Sequence, residues 1–137
     1  MKKTLILENK LEQITLLEGF VEDACQAAKA DPSMSFELNL ALEEAVANVI
    51  NYAYPQGELH TFQLTAELQD NELVFELSDS GAPFNPLADA KEPDITLSAE
   101  ERPIGGLGIF LIKQLMNRVE YKRDNGYNIL TLSKKLQ

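Results

Sequence analysis

The amino-acid sequence predicts one α+β domain, a two-layer α/β sandwich in which a mostly antiparallel, mixed sheet carries helices on one face. Two long segments repeat apolar residues at steps of three and four, as amphipathic helices do, and shorter segments alternate apolar with polar residues, as half-buried strands do. With 45% hydrophobic residues, a chain of 137 residues can fill a single core. We therefore expect one domain spanning residues 1–137.

Two helices are predicted in the N-terminal half. A short strand over Thr4–Leu7 precedes a helix from about Lys10 to Ala30, and Cys25 lies on the apolar face of that helix as a small core residue. The central helix is predicted over Phe36–Tyr54, with Ser35 as its N-cap and a proline and a glycine just beyond its end.

The remaining regular segments are predicted strands joined in hairpins. Residues 60–68 alternate apolar and polar side chains, and residues 69–71 turn the chain into a second strand. At the C-terminal end, strands over Arg118–Arg123 and Tyr127–Lys134 are joined by an Asn-Gly turn, a strong indication of a hairpin. The single histidine, His60, has no histidine or cysteine companions, so a structural role is expected rather than metal binding.

The central helix carries a pair of polar residues, Glu44 and Asn48, at the edge of its apolar face. Their spacing of four residues places them on one side of the helix. An amide oxygen beside a carboxylate suits a hard cation such as Mg²⁺, with the carboxylate left to accept a proton. The adjacent Glu43 projects about 100° round the helix and is predicted to face solvent. On spacing alone, however, the pair is better explained as the polar edge of a soluble helix.

A second candidate site residue, Asp79, ends the second strand of the first hairpin. It continues the phase of three core residues, so its carboxylate is predicted to point inward at the floor of a pocket; these residues are Leu73, Phe75 and Leu77. There it could accept a hydrogen bond from a ligand amine such as the exocyclic amino group of adenine. The alternative is an ordinary aspartate at a turn, which is common.

A glycine cluster, Gly105-Gly106-Leu107-Gly108, precedes a predicted helix over Ile109–Met116. Glycines before a helix let an anion approach free backbone N–H groups, although a flexible hinge is a fair alternative explanation. The preceding polar segment, Pro86–Ile104, has the length of a lid or binding loop.

Composition limits the class of ligand and the compartment. The formal charge of −10 argues against nucleic acid as a direct ligand, since phosphate neutralisation needs clustered basic residues. No apolar run approaches the ~20 residues of a membrane span, and the N-terminal apolar stretch is too short for a signal peptide. One cysteine excludes an internal disulfide. A cytoplasmic protein is expected.

Three motifs follow one another in an order and spacing that resemble the Bergerat-fold, or GHKL, ATP-binding superfamily, which includes the histidine-kinase-like ATPases. The motifs are Glu44-Ala45-Val46-Ala47-Asn48, Asp79-Ser80-Gly81-Ala82-Pro83-Phe84 and Gly105-Gly106-Leu107-Gly108-Ile109. Within the superfamily the chain looks most like the small bacterial anti-sigma-factor serine/threonine kinases. The resemblance spans nearly the whole chain, from the first strand to the final hairpin.

The resemblance implies a role for each motif residue, with ATP and Mg²⁺ as cofactors. Asn48 would coordinate the Mg²⁺ that bridges the ATP phosphates, and Glu44 would accept the hydroxyl proton of a protein serine or threonine. Asp79 would bind the adenine amino group, with Gly81 leaving space for the ring. The remaining glycines would shape the lid hinge and present N–H groups to the phosphates; these are Gly105, Gly106 and Gly108.

The implied function is an ATP-dependent serine/threonine kinase that acts as an anti-sigma factor and phosphorylates an anti-sigma-factor antagonist protein. A sigma factor is a second candidate partner, and the family analogy suggests a homodimer. Two alternatives stay open: a module that binds ATP and sequesters a partner without phosphotransfer, and an ATP hydrolase. One departure from the family is Tyr52, which stands where a histidine often follows the asparagine by four residues.

Overall fold

The computed structural model describes residues 1–89 and 106–136. The described strands are β1 (Lys2–Glu8), β2 (Thr61–Gln69), β3 (Glu72–Asp79), β4 (Arg118–Asp124) and β5 (Tyr127–Lys135). The described α-helices are α1 (Leu16–Ala28), α2 (Pro32–Tyr52), α3 (Pro86–Asp89) and α4 (Gly106–Leu115). None of these helices is long and apolar enough to cross a membrane.

The five strands form one sheet in the order β1-β2-β3-β5-β4. All four pairings are antiparallel, so the described sheet has no parallel pair of the kind that a mixed sheet would contain. The final hairpin turns through Asn125 and Gly126, whose φ angles of 50° and 82° are those of the tight turn predicted from Asn-Gly. In this register Asp79 of β3 lies directly opposite Asn128 of β5.

One face of the sheet and the helices enclose the core. Alternate residues of β2, β3 and β5 are buried, and they pack with the apolar faces of α1, α2 and α4; the strand residues are Phe62, Leu64, Ala66, Leu73, Phe75, Leu77, Leu130 and Leu132. The predicted two-layer sandwich is therefore confirmed. Cys25 of α1 is buried in this core, as expected, and burial together with the charge of Glu22 raises the pKa of its thiol.

The central helix begins earlier than predicted. Asp31, not Ser35, is the N-cap: its Oδ1 accepts a hydrogen bond of 2.9 Å from the backbone N–H of Ser33. Pro32 then occupies the first turn, where its missing N–H costs nothing. The Ser35 hydroxyl donates to the Pro32 carbonyl inside the helix instead. The Asp-Pro-Ser sequence at residues 31–33 therefore starts α2.

The helix predicted over Lys10–Ala30 is divided in two. A 3-10 helix spans Leu11–Thr15, and α1 follows it without a gap. Lys29 ends α1 in the left-handed conformation, with φ of 57°. The role of His60 is structural, as predicted. Its ring stacks on the ring of Tyr54, with 4.4 Å between the two centroids.

Helix α4 packs antiparallel against α2, and Gly108 in its first turn lies against Glu44. It begins at Gly106, three residues before the predicted start. At its C-terminal end, the Lys134 ammonium donates to the Leu115 carbonyl (2.6 Å) and forms an ion pair of 2.9 Å with Glu37 of α2. Most of the predicted lid, Pro86–Ile104, lies outside the described residues; its first four residues form α3.

Candidate active site

A small cavity lies between α2 and the sheet, and three polar side chains line it. Two of them were predicted from the sequence. Asn48 lines it from α2, Asp79 from the end of β3, and Asn128 from the start of β5. Its volume is about 30 Å³, which is room for a water molecule rather than for a purine ring. A purine ring therefore enters only if lining side chains such as Phe84 move apart.

Asp79 lies at the inner end of this cavity, as its phase in β3 predicts, and is 4% exposed. Its Oδ1 accepts two hydrogen bonds of 2.9 Å, from Nδ2 of Asn128 and from the backbone N–H of Gly81. None of the described residues donates to Oδ2. The carboxylate is thus held in place through one oxygen while the other is left for a ligand that carries N–H groups.

Burial raises the pKa of the Asp79 carboxyl above its ordinary value. The hydrogen bonds from Asn128 and Gly81 and the charge of Arg123 oppose the shift without cancelling it. Because the folded chain binds this proton more tightly than the unfolded chain does, the ionised carboxylate destabilises the fold. This cost is fully present above the folded-state pKa and vanishes below the unfolded-state pKa of about 3.9.

We therefore expect Asp79→Asn to be at least as stable as the native chain at neutral pH. An asparagine side chain keeps an Oδ1 acceptor for Asn128 and Gly81 and removes the buried charge. The free energies of unfolding of both chains, measured in urea between pH 3.5 and 7.5, should diverge as the pH rises. A variant that becomes less stable than the native chain as the pH rises would contradict this account of Asp79.

Asn128 was missed by the sequence analysis. It is 5% exposed, and its Nδ2 also donates to the Ala82 carbonyl at 2.8 Å. Its Oδ1 accepts from the Tyr121 hydroxyl at 2.6 Å and from the Phe84 N–H at 3.3 Å. Asn128 thus joins Asp79 to the loop that follows β3. The phase argument that found Asp79 applies here too, because Asn128 continues the buried row of Leu130 and Leu132.

Gly81 lies against the C-terminal end of α2. A Cβ added to it would collide with the carbonyl oxygen of Ala53, so only glycine fits. The Ala82 N–H donates to that same oxygen at 2.8 Å, and Arg123 donates to the Gly81 carbonyl at 2.8 Å. The structure gives Gly81 a packing role, and its proposed role of leaving space for a ring stays a prediction.

Asn48 and Glu44 are both half-buried on α2, and neither side chain forms a hydrogen bond or ion pair with the described residues. The Glu44 carboxylate lies against Gly108 in the first turn of α4, so closely that a Cβ at Gly108 would collide with its Oε2. Glu43, predicted to face solvent, is instead half-buried, and its carboxylate accepts a hydrogen bond of 3.0 Å from Asn39.

The glycine cluster is described in part. Gly105 lies outside the described residues, and of Gly106 only the backbone, as the first residue of α4, is described. Gly108 directly contacts Glu44, as stated above. Tyr52, which takes the place of the family histidine, stacks on Phe84 with 5.6 Å between ring centroids. Its hydroxyl is buried and has no hydrogen-bond partner among the described residues.

The arrangement suits a phosphorylated ligand with an amine-bearing ring. A half-buried amide oxygen with no partner among the described residues suits Mg²⁺, which keeps several waters and takes few protein ligands, so Asn48 fits that ion. No group of three or more histidine, cysteine, aspartate or glutamate side chains that could hold a metal occurs in the described part of the chain. A metal here would therefore depend on Asn48 and on ligand phosphates.

Comparison with known proteins agrees with the geometry. The family model of the histidine kinase-like ATPase domain matches residues 7–134. The serine/threonine-protein kinase BtrW of Bordetella bronchiseptica is 30% identical over 73% of this chain and 70% of its own length. The serine-protein kinase RsbW of Halalkalibacterium halodurans is 34% identical over 74% of this chain, and the match spans 62% of that relative.

A solved structure extends the likeness to the fold. The crystal structure of the RsbU and RsbW domains of a Mycobacterium tuberculosis protein superposes with a TM-score of 0.68, over 99% of this chain and 32% of that one, at 15% identity. The family predicted from the three motifs is confirmed by the family match. The chain belongs to the histidine kinase-like ATPase domain family, within the GHKL superfamily, and is similar there to the RsbW and BtrW serine-protein kinases.

Proposed function

We propose that this protein is an ATP-dependent serine/threonine protein kinase of the cytoplasm that acts as an anti-sigma factor by phosphorylating an anti-sigma-factor antagonist. The names of the RsbW and BtrW relatives support the kinase activity. By the same family analogy, a sigma factor and a second copy of this chain are further candidate partners. The observation that carries the proposal is the state of Glu44 and Asn48, two half-buried polar side chains on one side of α2 that no described residue satisfies.

The nucleotide is recognised at two ends of the cavity. Asp79 accepts a hydrogen bond from the adenine amino group through the oxygen that the protein leaves free, while Asn128 and Gly81 hold its other oxygen. Asn48 would hold the Mg²⁺, which would neutralise charge on the phosphates during phosphoryl transfer. Losing the Asp79 acceptor, as in Asp79→Asn, should weaken ATP binding by about 10- to 100-fold.

Glu44 acts on the protein acceptor. The serine or threonine oxygen forms a bond to the γ-phosphorus as the bond from that phosphorus to the ADP oxygen breaks, and the hydroxyl proton passes to Glu44. Its carboxylate is half-buried, forms no ion pair with a described residue and lies against the first turn of α4. Such a group is available as a base, and positioning it beside the phosphates supplies most of what phosphoryl transfer needs.

Incubation with ATP labelled at the γ-phosphate and a purified antagonist protein separates this function from its two alternatives. A kinase produces labelled antagonist in a reaction that requires Mg²⁺. A binding module retains ATP and labels nothing, and a hydrolase releases labelled phosphate without an acceptor. Either of the last two outcomes, across the candidate antagonists, would overturn the proposal.

Asn48→Ala should remove the Mg²⁺ dependence of ATP binding. Removing the amide oxygen leaves the metal without its protein ligand, so ATP should bind with equal affinity in Mg²⁺ and in EDTA. Isothermal titration of native and variant chains under both conditions measures this. Asn51→Ala, in the exposed last turn of the same helix, is the control and should keep the native dependence. Unchanged metal dependence in Asn48→Ala would rule out the assignment.

A further inference from the structure

We propose that the acceptor protein docks on the solvent-facing side of α2, on an apolar patch formed by Phe36, Leu40 and Leu111, and presents its hydroxyl to Glu44 two helical turns away. We call this surface the α2 patch. The inference rests on the proposed kinase function and adds to it the surface that selects the protein substrate.

The patch begins at an exposed aromatic side chain. Phe36 is 74% exposed, more than any other large hydrophobic residue that the structure describes. A single exposed apolar residue is ordinary, but Leu40, half-buried one turn later, continues the same row. That row advances in steps of four residues, so it leads from Phe36 through Leu40 to Glu44 and on to Asn48 in the cavity.

Helix α4 supplies the other side of the patch. Two contacts set its antiparallel register: Gly108 lies against Glu44, and Leu115 is linked through Lys134 to Glu37. In that register Leu111, which is half-buried, is level with the turn of α2 that contains Leu40. The two helices therefore expose adjoining apolar side chains on the side of α2 from which Glu44 is reached.

Location distinguishes this patch from the exposed apolar residues on the outer face of the sheet. Ile6 and Tyr127 are 55% and 47% exposed and lie on the outer face of the sheet, away from the helices. Leu59 is 60% exposed and follows the C-terminal end of α2. An acceptor bound on the outer face would have the sheet between itself and Glu44.

The spacing and charge of the patch define the chemistry of its occupant. Phe36 and Glu44 are eight residues apart, or about 12 Å along the helix axis. The acceptor should therefore carry an apolar side chain about that far from its phosphorylated hydroxyl. Helix α2 contains three glutamates and no lysine or arginine, and Lys134 pairs with one of them, Glu37. Basic residues beside the acceptor hydroxyl would complement the other two, Glu43 and Glu44.

The test measures steady-state phosphorylation of the antagonist protein used in the transfer assay. Phe36→Ala should raise the KM for that protein at least about tenfold, as loss of an aromatic anchor does. Its kcat and its affinity for ATP should stay within about twofold of the native values, since Phe36 touches neither nucleotide nor hydroxyl. Phe36→Leu should restore most of the lost affinity, and Leu59→Ala, the matched exposed control, should change nothing.

Alanine is a better helix former than phenylalanine, so folding should survive the substitution, and circular dichroism confirms it. If the native chain labels the antagonist and Phe36→Ala does so with an unchanged KM, the docking surface is wrong while the kinase stands. A fall in kcat alone would also overturn docking. If the native chain labels no acceptor, the proposed function fails and this inference falls with it.

Discussion

Glu44→Gln should lower kcat for protein phosphorylation by about 10²- to 10⁴-fold, the usual contribution of a general base. Glutamine has nearly the shape of glutamate and can occupy the same place against Gly108, but it does not accept the hydroxyl proton. ATP affinity should change little, because in the proposed site the nucleotide is held by Asp79 and Asn48. Single-turnover transfer to the antagonist, alongside equilibrium binding of ATP, measures the two effects separately.

Glu43→Gln is the matched control for this variant. It changes the same functional group one residue away, and a glutamine oxygen still accepts the hydrogen bond from Asn39. Its kcat should stay within about twofold of the native value, since Glu43 does not line the cavity and forms no hydrogen bond or ion pair with α4 among the described residues. If kcat fell equally in the two variants, phosphoryl transfer would depend on the negative charge of α2 and not on a base at Glu44.

Gly108→Ala should lower kcat by about tenfold or more while leaving the free energy of unfolding almost unchanged. The added Cβ would collide with Oε2 at the mobile end of the Glu44 side chain, so the carboxylate moves aside and the backbones keep their places. Misplacement of a catalytic group by about 1 Å can cost up to 10²-fold in rate. Urea unfolding and single-turnover transfer give the two quantities.

Two comparisons isolate the cause of that loss. Gly19→Ala in α1 adds a methyl group where no atom lies within 4 Å, so it should keep native activity and gain slightly in stability. In a Glu44→Gln background, Gly108→Ala should cause little further loss, because both changes act on one carboxylate. Independent, multiplying losses would show that Gly108 matters for another reason.

Much of the fold could be predicted because its elements are amphipathic with clear periods. Alternating apolar residues in β2 and β3, together with the apolar face of α2, predicted the sheet layer and the helix layer. The Asn-Gly turn predicted the last hairpin. The first residues of the helices were harder to predict from the sequence. Asp31 and Ser35 are both good N-caps, and the choice between them depends on Pro32, which favours the first turn of a helix.

The site could be predicted in part for the same reason. The phase of β3 identified Asp79, and the same argument would have identified Asn128 had it been applied to β5. The contact of Glu44 with Gly108 and that of Gly81 with Ala53 join residues distant in sequence. Such contacts depend on how whole helices pack, which local periodicity does not specify.

The most direct test is a crystal structure of the chain with Mg²⁺ and a non-hydrolysable ATP analogue. We expect the Asn48 side-chain oxygen at about 2.0–2.1 Å from the metal and the adenine amino group within about 3 Å of Asp79 Oδ2. The Glu44 carboxylate should face the γ-phosphate from the side of the α2 patch. A nucleotide bound away from Asp79, or a metal that Asn48 does not touch, would contradict the account.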